Sequence, residues 1–92
     1  MHFNMGICYE KLHNHKLAIA SYLKTIKFNP KYLNAYLNLE KIYLNNGDIE
    51  EALRLLLKAN KRLPNEESIN LNISNIYKNL GKIDLSIVYC KK

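Results

Sequence analysis

Three asparagines, Asn4, Asn38 and Asn72, stand 34 residues apart. A carboxamide can donate to a peptide carbonyl and accept from a peptide N–H. A row of carboxamides at a constant interval can therefore hold an extended peptide by its backbone, almost regardless of sequence. The surroundings of the middle one sharpen the question. Residues 36–43, YLNLEKIY, supply Tyr36, Leu37, Leu39, Ile42 and Tyr43 as core candidates. A buried amide without partners costs about 1–3 kcal/mol, so Asn38 is either satisfied by its neighbours or faces something meant to be hydrogen-bonded.

Other reactive side chains offer less. His13 and His15 flank Asn14 without a third ligand nearby, which is not a zinc set. Cys8 and Cys90 have no metal-like spacing and no activating neighbour. The acid pairs Glu50, Glu51 and Glu66, Glu67 fall where helices begin, and the macrodipole accounts for them. There is no glycine-rich phosphate loop and no Ser-His-Asp set. The segment reads as no enzyme, with no cofactor.

The elements that position the asparagines follow from the same interval. It carries Pro30 to Pro64, Ala18 to Ala52, Tyr9 to Tyr43 and Tyr77, Gly47 to Gly81, Leu37 to Leu71, and Ile49 to Ile83. Within each period the apolar residues recur at three and four, as in Leu39, Ile42, Tyr43 and Leu53, Leu56, Leu57. This predicts an all-α chain of six helices, at about 1–12, 15–28, 32–46, 49–62, 66–80 and 83–92. Gly47 suits the left-handed position past a helix end. Asp48 is expected to cap the next helix, with Glu51 completing a capping box. Pro64 stops that helix, and Asn65 is expected to cap the one after. Loops this short force neighbouring helices to run antiparallel.

Composition sets the outer bounds. Ninety-two residues with 48% hydrophobic and 24% charged content make one small folded domain. The net charge of +6 permits an acidic partner or a nucleic acid, but the lysines are scattered, and solubility alone explains them. Two lone thiols point to a reducing compartment. No signal pattern opens the chain and no apolar run reaches the ~18 residues that span a bilayer. The expected location is cytoplasmic or nuclear, with no membrane partner.

The repeating residues resemble the tetratricopeptide repeat, a 34-residue helix-turn-helix of the form W-x2-L-G-x2-Y…A-x3-F…P. The first copy has His2, Met5, Gly6, Tyr9, Ala18, Tyr22 and Pro30. The second has Tyr36, Leu39, Glu40, Tyr43, Ala52, Leu56 and Pro64, and the third has Asn70, Ile73, Ser74, Tyr77, Ser86 and Cys90. The resemblance implies a right-handed superhelical solenoid of antiparallel helix pairs. Residues 1–92 form a single domain, with repeats at about 1–31, 32–65 and 66–92. Two departures stand out. Glu40 replaces a small residue and is expected to tilt to solvent or pair with a nearby lysine. Asn70 replaces an aromatic and is expected to weaken the third repeat. With no cap before the first helix or after the last, a piece of a longer repeat protein is expected.

In such a solenoid the first helix of each pair lines the concave wall. Asn4, Asn38 and Asn72 would then run along a groove, which resembles the asparagine ladder in the repeat arm of the O-linked N-acetylglucosamine transferase family. Water or an adjacent helix would satisfy these amides equally well. Phe3, Leu37 and Leu71 precede each Asn by one residue, although ordinary packing would also use them. Ile7, Lys41 and Asn75 lie a turn further on, and Glu10, Asn34, Asn45, Lys78 and Asn79 would form the edges. The expected function is a protein-interaction scaffold that holds an extended peptide or a partner helix. Lys41 and Lys78 would favour acidic side chains.

Two alternatives remain: the substrate-selecting arm of a larger enzyme such as a glycosyltransferase or prolyl isomerase, and RNA binding. Against RNA, Lys41 shares its phase with Ile7 and Asn75, so no basic set recurs. The carboxylate clamp of tetratricopeptide co-chaperones is not expected either. Its first-helix places hold Phe3 and Ile7, and its fifth-helix places hold Ser68 and Asn72, so only Asn38 fits. Apolar surface near Ile83, Ile87 and Val88 predicts self-association through the terminal helices.

Overall fold

Five of the six expected helices form among the described residues, the sixth, at about 83–92, falling largely outside them, and the two kinds of turn repeat with the sequence. The computed structural model describes residues 2–82, Leu85 and residues 87–89. The helices are α1 (His2–Lys11), α2 (His15–Phe28), α3 (Leu33–Asn45), α4 (Ile49–Arg62) and α5 (Glu67–Asn79). Leu85 and residues 87–89 are also helical, and there is no strand among the described residues. Ile83, Ser86 and Cys90, named above, lie outside the described residues.

Inside each repeat the chain reverses through one motif. His13, Gly47 and Gly81 take positive φ values of 58°, 80° and 79°. Their N–H groups return to the carbonyls of Glu10, Leu44 and Lys78 at 2.9, 3.1 and 3.0 Å. The next N–H in each case, from Asn14, Asp48 and Lys82, reaches Tyr9, Tyr43 and Tyr77 at 2.8 Å. This is the Schellman arrangement, which satisfies the last carbonyls of a helix. Glycine adopts it freely, whereas His13 carries the Cβ penalty of a left-handed residue.

Between repeats a proline turn takes over. Tyr32 N–H donates to Asn29 at 3.0 Å and Glu66 N–H to Leu63 at 3.2 Å. Pro30 and Pro64 sit at the second turn position, where their fixed φ fits.

Two capping expectations need correction. Asp48 precedes α4 but makes no side-chain cap bond; its own N–H goes to the Tyr43 carbonyl, and the Glu51 carboxylate pairs with Arg54 rather than reaching back to it. The residue preceding α5 is Glu66, not Asn65, and it too makes no side-chain cap bond. Among the described residues a side-chain cap forms at Asn14, whose Oδ1 accepts from Leu17 N–H at 3.2 Å.

Consecutive helices pack on one another, α1 on α2 through α4 on α5. The core runs along the seam as Ala18, Tyr22 and Ile26 of α2, Tyr36, Leu39 and Ile42 of α3, Ala52, Leu55 and Leu56 of α4, and Ile69, Ile73 and Ile76 of α5. Each of the buried Ile and Leu side chains contributes roughly 1.5–3 kcal/mol on burial. A net hydrogen bond is worth only about 0.5–1.5 kcal/mol, so the stack does not depend on any one bond in the groove.

The third repeat keeps its dock despite Asn70. In the second repeat the Tyr36 hydroxyl donates to the Pro30 carbonyl at 2.6 Å. In the third, Asn70 Nδ2 donates to the equivalent Pro64 carbonyl at 3.2 Å, while its Oδ1 accepts from Asn60 at 2.7 Å. A buried amide with both ends satisfied thus does the work of the aromatic hydroxyl.

Candidate functional site

Helices α1, α3 and α5 carry the three asparagines at one phase, and the described groove is best formed between α3 and α5. A cavity of about 410 Å³ there is lined by Asn34, Leu37, Asn38, Glu40, Lys41, Ser68, Leu71 and Asn72. Leu37 is half-buried against the core, whereas Leu71 is 42% exposed and offers its surface to the groove. Phe3 and Asn4 line a different cavity, of about 390 Å³, with His2, Thr25, Phe28, Asn29 and Tyr32. Phe3 packs its ring 5.7 Å from Tyr22 and 4.9 Å from Tyr32. Ile7 is half-buried on the core. Asn45, Asn75 and Lys78 are exposed and line neither cavity.

Asn38 and Asn72 are each tied to the preceding repeat. Asn38 Nδ2 donates to the Tyr22 hydroxyl at 3.4 Å, and that hydroxyl donates to the Glu10 carboxylate. Asn72 Nδ2 donates to Glu40 Oε1 at 2.8 Å. Each amide spends one N–H in this way and keeps its carbonyl oxygen and second N–H. Glu10 is therefore not a free groove edge. Glu40 neither tilts to solvent nor relies on a lysine: it is 5% exposed and takes its donor from α5.

The two junctions reach the same end by different residues. Gly6 leaves room for the Tyr22 ring, since a Cβ there would lie 2.6 Å from Tyr22 Cε1. One period later Glu40 stands where Gly6 does, and Leu56 stands where Tyr22 does. The acceptor for the next repeat's Asn thus moves from a hydroxyl on the second helix to a carboxylate on the first. Ser68 and Glu40 were not among the residues expected in the site. The sequence signal for Glu40 was this paired exchange across the 34-residue shift.

Charge in the groove is mixed. Burial pushes the Glu40 carboxyl above its ordinary pKa, and the Asn72 bond and nearby Lys41 pull it partly back. Burial, reinforced by the Glu10 bond and charge, pushes the Tyr22 hydroxyl well above the usual phenol range, against a smaller lowering from Asn38. Among the described residues there is no cluster of side chains that could hold a metal ion. No described helix is long and apolar enough to cross a membrane.

Helix pairs stacked at a constant 34-residue interval, with a hydrogen-bonded amide on successive first helices, define a helical-repeat solenoid. The chain belongs to the tetratricopeptide repeat family, which matches residues 1–32, 33–65 and 67–92. That membership supports a protein–protein interaction scaffold, in general a non-catalytic one. Among solved structures the fold is similar to a crystal structure of MamA, with a TM-score of 0.82 at 22% identity, covering 98% of this chain and 53% of that one. It is also similar to structures of MamA AMB-1 (TM-score 0.76, 23% identity, 98% and 53% covered) and MamA MSR-1 (0.76, 23%, 98% and 52%). The chain thus spans about half the length of these proteins. No curated protein matches it.

Proposed function

We propose that the chain holds an extended peptide segment of a protein partner in the concave groove, with Asn38 and Asn72 bonding the guest's backbone. The observation that carries this reading is the pinning of both amides to the preceding repeat beside one cavity. Each side chain is held in place before a guest arrives, which lowers the ordering cost of binding. Asn4 extends the same phase toward α1. Leu37 and Leu71 supply apolar contact, and the exposed Lys41 beside the cavity, with Lys78 further along α5, favours acidic side chains on the guest.

The test is a peptide titration with Asn38→Ala and with Asn38→Ala/Asn72→Ala. The double variant should bind at least about tenfold more weakly, the loss expected for two backbone bonds, with its helical circular dichroism retained. Asn38→Ala is the cleaner single change, because removing Asn72 also strips Glu40 of its donor. Unchanged affinity in the double variant would end this reading.

A further inference from the structure

Glu40 has a position and burial that helix packing does not require. The equivalent places in the other repeats hold Gly6 and Ser74, so the stack closes without an acid there. Glu40 is nevertheless 5% exposed and lines the cavity between α3 and α5. Its protein hydrogen bond comes from one neutral donor, the Asn72 amide, whereas a carboxylate offers about four acceptor sites. Lys41 offsets this charge only from an exposed position, so the buried carboxylate gains when a charged donor bonds it directly.

We propose that this cavity takes a cationic side chain of the extended guest, lysine or arginine, with Glu40 as its counter-ion. The inference rests on the groove reading above and adds the chemistry of one anchoring side chain. At about 410 Å³ the cavity has room for a long side chain entering from the guest backbone. Lys41, which also lines it, is exposed. Its field is screened by water and salt, while that of the buried Glu40 is screened much less. The guest is then a basic residue set among apolar or acidic neighbours: the buried Glu40 takes the cation, and the exposed Lys41 faces the flanking residues.

An array of short random-sequence peptides tests this at physiological salt, with the wild-type chain, Glu40→Gln, and the exposed Glu50→Gln as a charge control on α4. Wild type and Glu50→Gln should retain peptides enriched in Lys or Arg at one position. Replacing that residue by Gln in a retained peptide should weaken wild-type binding about tenfold and leave Glu40→Gln binding unchanged. In wild type the Asn72 side-chain amide resonances should shift on titration with the basic peptide and not with its Gln counterpart, a readout that holds even if Glu40→Gln folds poorly. Peptides retained without a basic preference, or with one that survives Glu40→Gln, overturn this inference and leave the groove reading standing. An array that retains no peptide overturns both.

Discussion

The first inter-repeat junction and the second join the same elements with different chemistry. At the first, Gly6 yields its side-chain space to Tyr22, and the tyrosine hydroxyl accepts from Asn38. At the second, Leu56 has no hydroxyl, and Glu40 fills the place of Gly6 and accepts from Asn72. Glu10, which takes the Tyr22 proton donor at the first junction, is matched by Leu44 at the second, where no hydroxyl needs a partner. The asparagine keeps its place while everything that supports it changes. A repeat protein can thus retain a groove geometry and alter the groove's charge from one step to the next.

Breaking each junction should separate them. The largest loss is expected for Asn72→Ala, which leaves the buried Glu40 carboxyl without its donor: about 2 kcal/mol by chemical denaturation. Adding Glu40→Gln should recover much of it. Gly6→Ala should cost about 1–2 kcal/mol, because the new methyl meets a fully buried ring and overpacking outweighs the gain in helix propensity. Adding Tyr22→Leu, the arrangement of the second junction, should recover part of that loss in a double-mutant cycle. His13→Gly should stabilise by about 1 kcal/mol, raising the melting temperature by a few degrees, because it removes the left-handed penalty that Gly47 and Gly81 avoid. Asn38→Ala should be the mildest, under about 1 kcal/mol, since it releases one long bond.

The two junctions should also differ in pH response. The Glu40 carboxyl is raised in the folded state, so the folded chain holds that proton more tightly than the unfolded chain. Stability then falls as pH rises from the ordinary carboxyl value through the raised one. Relative to Glu40→Gln, the wild type should gain stability as pH is lowered through that window and show no further change above it. Thermal melts of the two proteins across the acidic range would measure this.

The helices and turns were legible because they depend on local residues. Pro30 and Pro64 mark one turn and Gly47 and Gly81 the other, and the 34-residue interval locates both. His13 gives no glycine signal of its own, and only the interval that carries it to Gly47 and Gly81 places it in the same turn. The caps misled because Asp48 and Asn65 have suitable side chains, yet Asp48 makes no side-chain cap bond and the helix after Pro64 began later. The phase of the asparagines was readable, but their partners were not. Tyr22 lies 16 residues before Asn38 and Glu40 lies 32 before Asn72, distances at which only the packed stack brings side chains together. Glu40 read as an acid tilted to solvent or paired with a nearby lysine, because a charged residue on a helix is usually solvated or paired, whereas its donor comes from a neighbour two helices away.

The account turns on whether the groove holds a guest by its main chain. The most direct measurement is calorimetric titration of one array-selected peptide against copies in which single amides are replaced by esters, on wild type and on Asn38→Ala. An ester at the position facing Asn38 should weaken wild-type binding and have no further effect on Asn38→Ala. Full affinity in every ester copy, with losses only when side chains are exchanged, would contradict it.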